Sequence, residues 1–477
     1  MANIKQNLAY SAILTLSTYL VPLIVFPYIS RVLGVEGIGQ IDTVDNIIDY
    51  CILFSMMGLT TVGIREIAKN KDNPQALGQT FTDLFVLNLY STLFIAIVFG
   101  IVVWTSPKLS NYGVLIPIGA AKLIANLFWI EWLYTGLEEF KYITLRSVIL
   151  RTAFIIAVFI FVNDQHDTTV YYLLFAGITI GNAICNWTYK RTFLHWDIRK
   201  ANIKHYITPF FVLGLFAMLS AIYTKLSLPV LSFLTDDQEA GNYATATRVY
   251  QVIIALVGTL TAVMIPRMSV LMKENRFDKV REYSLMSFKL LFIFSFPIIC
   301  FMEIFAPDII RLFAGTGFEG AILPMRIIMP QLIIIGAEKI IVLQLLIPLR
   351  KDRTIVMAGL IGVFNWCIFT ALLVPTYHNI GTSLVWVIAE LTVLLIANRE
   401  TQRSLNIHFP VKMFLLSCLY AIPYLLLGWG IYYVTEDPII RIILSMVLFI
   451  GYATLLEFKV YKTGILQPVV NIIKRVT

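Results

Sequence analysis

Charge is scarce in this sequence: Asp, Glu, Lys and Arg make up 14% of its 477 residues, while 58% are hydrophobic. A water-soluble core cannot hide that much apolar surface, so a soluble globular protein is excluded. Cysteine is also rare, and Cys51, Cys185, Cys300, Cys367 and Cys418 all fall inside long apolar runs, where they behave as small apolar side chains. No disulfide framework is implied. The five histidines, His166, His195, His205, His378 and His408, lie in or beside polar connections without metal-ligand spacing. A G-x-x-x-x-G-K-[ST] phosphate loop, an H-E-x-x-H and a paired C-x-x-C are all missing. The chain is therefore not expected to be an enzyme, and no catalytic residue, metal or cofactor is assigned. Energy for any work it does would come from an ion gradient or the membrane potential.

What the sequence has is apolar length. A bilayer core of about 30 Å takes about 20 apolar residues per helix, and fourteen such runs are legible, at 8–30, 41–63, 80–103, 112–135, 146–162, 170–189, 208–233, 243–265, 283–305, 321–347, 355–374, 380–398, 412–434 and 438–458. The expected fold is an all-α integral membrane protein. The first run contains polar residues and lacks a short apolar core followed by a small-residue cleavage site, so it reads as a retained helix. The net charge of +8 sorts by connection, which points away from nucleic acid. Lys and Arg crowd alternate connections and the tails, while the opposite ones hold only Arg31, Lys108, Arg311 and Arg441. By the positive-inside rule both termini are cytoplasmic. The inner clusters Lys190, Arg191, Arg199, Lys200, Lys204 and Arg267, Lys273, Arg276, Lys279, Arg281 suit anionic membrane lipids. The outer connections, the longest near 306–320, are too short for a folded catalytic module.

The longest inner connection, 190–209, divides the chain after six spans. A gapless offset of 202 places Pro27 on Pro229, Ser30 on Ser232, Gly39 on Gly241, Gln40 on Asn242, Thr43 on Thr245 and Arg65 on Arg267. Parallel repeats related by an axis along the membrane normal produce this pattern. The expected organisation is an N-terminal six-helix lobe at 1–195, a second at 196–405, and an extra helix pair with a cytoplasmic tail at 406–477.

A charge near a helix centre costs about 2.5–3.5 kcal/mol on insertion scales, so deep charges face protein or a water-filled cavity. Asp42, Asp45, Asn46 and Asp49 recur at i, i+3, i+4 and i+7 and share one helix face, with Ile41, Val44, Ile48 and Cys51 on the other. Ser11, Thr15, Thr18 and Pro22 form an uncharged stripe on the first span, and Asn242, Thr245, Arg248 and Gln251 a polar one on the eighth. Such groups line a cavity or join helices by hydrogen bonds. Other in-span ions are Lys122, Arg151, Lys289, Arg326, Glu338, Lys339 and Glu390. Glu390 reads either as a proton or Na⁺ site or as a structural partner for a cation. Between Phe210 and Thr235 the sole charged side chain is Lys225, on a face shared with Gly214, Ala221 and Ser232. It fits a cavity cation and a buried ion pair equally.

Five stretches carry a resemblance: SRVLGVEGIGQ from Ser30, GIREIAKNKD from Gly63, GLEEFKYITLRS from Gly136, AGNYATATR from Ala240 and IPRMS from Ile265. In order and helix context they resemble bacterial polysaccharide repeat-unit (O-antigen) flippases, a branch of the multidrug/oligosaccharidyl-lipid/polysaccharide (MOP) exporters. The resemblance implies a multi-pass protein of the bacterial inner membrane that carries undecaprenyl-diphosphate-linked oligosaccharide to the outer leaflet by alternating access. Polysaccharide polymerase and chain-length machinery would be partners, and H⁺ or Na⁺ a coupling ion. Arg31, Arg65, Lys225 and Arg248, with Arg151 and Lys122, match cations expected to hold the diphosphate. Two other readings compete: a multidrug-type antiporter whose Asp42, Asp45 and Asp49 bind an organic cation, and a membrane glycosyl polymerase or ligase using Asp164, Asp167, Asp236, Asp237 or Glu239. By the topology above, Asp42, Asp45 and Asp49 face Lys225 and Arg248 in the outer third of the membrane, an expected gate that a diphosphate would loosen by competing for the cations.

Overall fold

The computed structural model describes residues 4–190 and 196–461, among which every regular element is helical. Arg191 and the tail beyond residue 461, both assigned roles above, lie outside the described residues, as does the lobe boundary at 195. In chain order the helices are α1 Ile4–Met56, α2 Leu59–Asn70, α3 Pro74–Thr105, α4 Pro107–Asn111, α5 Leu115–Phe128, α6 Glu131–Gly136, α7 Phe140–Phe161, α8 Thr168–Lys190, α9 Lys204–Lys225, α10 Ser227–Leu234, α11 Asp237–Lys273, α12 Phe277–Phe313, α13 Ile322–Ile328, α14 Gln331–Lys339, α15 Asp352–Leu405, α16 Val411–Val434 and α17 Pro438–Leu456. Capping is written into the sequence. Asn73 accepts from the amides of Gln75 and Ala76 just ahead of Pro74, and Asp437 does the same for Ile439 and Ile440 just ahead of Pro438.

Among the described residues, ten helical stretches are long and apolar enough to cross a membrane. This is a multi-pass membrane protein. Two of the ten exceed any single crossing. As a straight rod, the 53 residues of α1 would measure about 80 Å against a hydrocarbon core of about 30 Å. The chain breaks direction at Gly34, whose φ of 70° lies in the left-handed region that glycine enters without a Cβ penalty. The 54-residue α15 breaks likewise at His378, φ 49°. Spans 8–30 and 41–63, and spans 355–374 and 380–398, are thus each joined by a kink, with no separate loop.

Four expected spans are not single helices. The run 41–63 is interrupted at Met57 and Gly58, where the Gly58 amide donates to the Phe210 carbonyl at 3.0 Å. The run 112–135 breaks between α5 and α6, where Trp129 and Ile130 leave helical geometry with ψ of 62° and 48°. The run 208–233 breaks between α9 and α10. The run 321–347 breaks at Met329 and Pro330, and its end, Ile340–Leu346, is wound as π-helix. Hydropathy averages over a window and cannot register a turn that keeps its apolar side chains.

The chain forms two compact units, one running to Ala244 with Ala314–Gly317 and the other from Thr245 onward. In the first, Phe81, Phe85, Trp132, Leu133 and Tyr134 make a buried core near the ends of α2, α3 and α6, and Lys190 is fully buried with its ammonium 3.2 Å from the Trp187 ring centre and 4.1 Å from that of Trp196. In the second, α12 packs against α16 and α17 through Phe301, Tyr424 and Phe449. Outward faces such as those of Leu415, Leu419, Leu426 and Trp429 are exposed and apolar, as a lipid-facing surface must be.

Candidate functional site

The acidic stripe of α1 is met by two lysines from different helices. The Lys122 ammonium, from α5, donates to Asp45 at 2.6 Å and to Asp49 at 2.9 Å. The Lys225 ammonium, from the last turn of α9, donates to the other oxygen of Asp49 at 2.6 Å. Asp49 therefore bridges two cations, and the four side chains balance to zero formal charge. Lys122 is buried, with 8% of its side chain exposed and the Phe175 ring 5.3 Å away, whereas Lys225 is 41% exposed. Asp42, one turn earlier, is buried, and its carbonyl accepts from Asn46. Tyr172 of α8 borders the Asp45 carboxylate. A charged network with one buried and one accessible cation can exchange a carboxylate for a stronger anion at the accessible end.

A second polar cluster in the same unit closes on Asp237, which opens α11. Its carboxylate accepts from Tyr112 at 2.7 Å and from Ser232 at 2.6 Å, the Tyr112 and Ser232 hydroxyls lie 3.0 Å apart, and Lys108 donates to the Ser232 carbonyl. This cluster ties the α4–α5 connection to the α10–α11 corner.

The other cations matched by resemblance are placed elsewhere. Arg31 is exposed and donates to the Pro27 carbonyl of its own helix. Arg65 is exposed and paired with Glu66 at 2.8 Å. Arg151 reaches α1, donating to the Leu14 carbonyl at 3.1 Å and to the Ser17 hydroxyl. Neither Arg31, Arg65 nor Arg151 joins the Lys122 and Lys225 network. Arg248 is half-buried in the second unit.

In the second unit Glu390 has a partner that sequence reasoning missed. The Glu338 carboxyl of α14 lies beside the Glu390 carboxyl of α15, and Trp386 donates its indole N–H to Glu390 at 3.1 Å. Two carboxyl groups side by side in a low-dielectric interior resist ionising together. Lys339, the next residue along α14 from Glu338, acts on the pair through space. Tyr250 stacks edge-on with Trp386 at 5.4 Å, and its buried hydroxyl, which has no hydrogen-bond partner, faces the two acids. The signal available beforehand was Glu338 itself, an acid in mid-span. Among the described residues no group of three His, Cys, Asp or Glu side chains could hold a metal ion.

Residues 4–272 match the family described as polysaccharide biosynthesis protein. The chain belongs to that family. Within it the sequence is 26% identical over 382 residues to a protein of Escherichia coli (strain K12) named "Putative O-antigen transporter", covering 76% of this chain and 88% of that one. A protein of the same name from Shigella dysenteriae is 22% identical over 404 residues, covering 82% and 98%. The fold of this polysaccharide biosynthesis family member is similar to a solved structure of the lipid II flippase MurJ in an inward closed conformation, with a TM-score of 0.74 at 16% identity over 94% of this chain and 99% of that one. It is also similar to an inward-facing multidrug resistance MATE transporter of the MOP superfamily, with a TM-score of 0.63 at 14% identity, covering 82% and 94%.

Proposed function

We propose that the protein is a flippase that moves undecaprenyl-diphosphate-linked oligosaccharide repeat units from the inner to the outer leaflet of the bacterial cytoplasmic membrane. It works by alternating access between two six-helix lobes, with fourteen crossings and both termini cytoplasmic. The observation that carries the reading is the ion-paired network of Lys122 and Lys225 on Asp45 and Asp49. A diphosphate brings about two negative charges into a low-dielectric space, where ammonium groups are its natural partners. Lys225 is the accessible one. Its exchange from Asp49 to the diphosphate supplies the differential contact that a ligand-driven switch requires. Arg31, Arg65, Arg151 and Arg248 are then encounter or exit contacts along the path, outside the central network.

Two further features support the reading. An apolar cleft of about 430 Å³ between α11, α12 and α17, lined by Ile253, Phe294, Pro297, Phe301, Met446 and Ile450, suits a polyprenyl tail that stays in contact with the bilayer. The Glu338 and Glu390 pair, two acids side by side that resist ionising together, suits coupling to H⁺. An organic-cation antiporter fits less well, because Asp45 and Asp49 are already occupied by lysine ammonium groups.

Deleting the gene tests the function. Cells lacking the protein should lose surface polysaccharide and accumulate lipid-linked repeat units in the inner leaflet. Loss of polysaccharide without that accumulation would refute the proposal.

A further inference from the structure

Two glycines singled out by the internal repeat make the tightest interhelical backbone approaches among the described glycines. A methyl group placed on Gly39 would overlap the carbonyl of Asp237 and lie 2.9 Å from the amide nitrogen of Gly241. A methyl group placed on Gly241 would overlap the carbonyl of Val35 and lie 3.0 Å from the Val35 side chain. The obstacles are backbone atoms, which cannot swing aside as the Trp132 ring beside Gly63 or the Ile48 side chain beside Gly119 can. The two contacts are also reciprocal. Gly241 is Gly39 shifted by 202, and Asp237 is Val35 shifted by 202, so residue i meets j′ and residue j meets i′, as at an isologous interface about a two-fold axis. Equivalent neighbours share the environment: Ser30 and Ser232 are 1% and 0% exposed, and Thr43 and Thr245 both 0%.

We propose that Gly39 and Gly241 are a matched pair of positioning residues that seal the outer end of the translocation path, and that the transporter must part them to release its cargo. The proposal rests on the flippase reading for its direction, since Gly39 and Gly241 lie on the outer side only in the orientation set by the positive-inside rule. Three features of the contact suit an interface that opens. Gly39 sits five residues past a backbone break at Gly34 with φ 70°, and Gly241 six past one at Thr235 with ψ −112°, so each helix start can turn about a nearby hinge. The nearest atoms across the contact are backbone carbonyls. Cα–H···O approaches of this kind are individually weak, on the order of 0.5–1 kcal/mol, and re-form without rotamer rearrangement. The Asp237 cluster with Tyr112 and Ser232 sits beside it as a polar latch.

The test uses the full chain with its five cysteines replaced and a single reporter cysteine introduced as Asn46→Cys, on the polar face of α1. Intact cells are treated with a membrane-impermeant maleimide, which reads outer opening with no substrate involved. Gly39→Ala and Gly241→Ala should each raise the external labelling rate about tenfold, equivalent to a shift of about 1.4 kcal/mol between closed and open states. The double variant should rise little further, because both substitutions break one contact. Gly100→Ala, at an exposed glycine with open space around it, should change nothing. Unchanged labelling in both variants would overturn the proposal. So would failure of both to reach the membrane folded, because a contact that parts in every cycle cannot be one the fold requires. Either negative result would leave the flippase reading standing, since that reading is tested by accumulation of lipid-linked repeat units.

Discussion

The protein buries carboxylates in two places and stabilises them in opposite ways. In the first unit Asp45 and Asp49 are held by Lys122 and Lys225, so every charge has a counter-charge within 2.9 Å. In the second, Glu338 and Glu390 lie side by side, where two acids resist ionising together, with an indole N–H donating to Glu390. The first arrangement depends on each partner being present, because loss of one leaves an uncompensated buried charge. The second depends on protonation, so it responds to pH and hardly at all to removal of formal charge. Under the proposed function, the first place exchanges an anion and the second takes up and releases a proton.

Removing the buried cation should break the comparison most violently. Lys122→Ala leaves Asp45 without its cation and Asp49 with Lys225 alone, and should destabilise the protein by about 3–5 kcal/mol. The loss should show as reduced membrane abundance and a lower unfolding midpoint in detergent. Adding Asp45→Asn to Lys122→Ala should recover part of it. Full stability in Lys122→Ala would mean that the network contributes nothing to the fold.

The second region should behave in reverse. Glu338→Gln preserves shape and replaces the carboxyl with an amide that can donate to Glu390. Abundance and unfolding midpoint should stay within about 0.5–1.5 kcal/mol of the parent, the net worth of a typical hydrogen bond. Transport into vesicles or spheroplasts should nevertheless lose its response to an imposed pH gradient. Glu390→Gln should lose the same response, and the double variant should be no worse than either single one. A pH response that survives in all three would place coupling elsewhere.

Much of this was legible in the sequence, for reasons that locate what was not. Apolar runs of membrane length and the alternation of Lys and Arg between connections state the class of protein directly, because both follow from the solvent. The face shared by Asp42, Asp45 and Asp49 follows from helical periodicity alone. The partners of that face do not, since Lys122 lies 77 residues from Asp45 and Lys225 lies 176 from Asp49, separations over which only tertiary packing decides. Lys225 read equally as a substrate cation and as half of an ion pair. The fold makes it the second while leaving it exposed enough for the first. The break at Trp129 and Ile130 carries neither proline nor glycine and had no signal. The repeat at offset 202 marked Gly39 and Gly241, and only the folded chain shows that each stands where a side chain cannot.

The smallest effect on stability should come from the accessible lysine, and it sharpens the contrast inside the first region. Lys225 and Lys122 bind the same carboxylate, but Lys225 is 41% exposed, and Asp49 retains Lys122 when Lys225 is lost. Lys225→Ala should therefore cost only the 0.2–1 kcal/mol range of an exposed pair, roughly, and abundance should hardly change. If Lys225 is the group that passes from Asp49 to a diphosphate, the same variant should lose most of its transport, and Lys225→Arg should restore more of it than Lys225→Gln, because only the first keeps the charge. The pair of measurements separates the two roles of one side chain. A variant that folds and transports normally would show that the exposed ammonium is not used, and would move the anion site to the arginines outside the network.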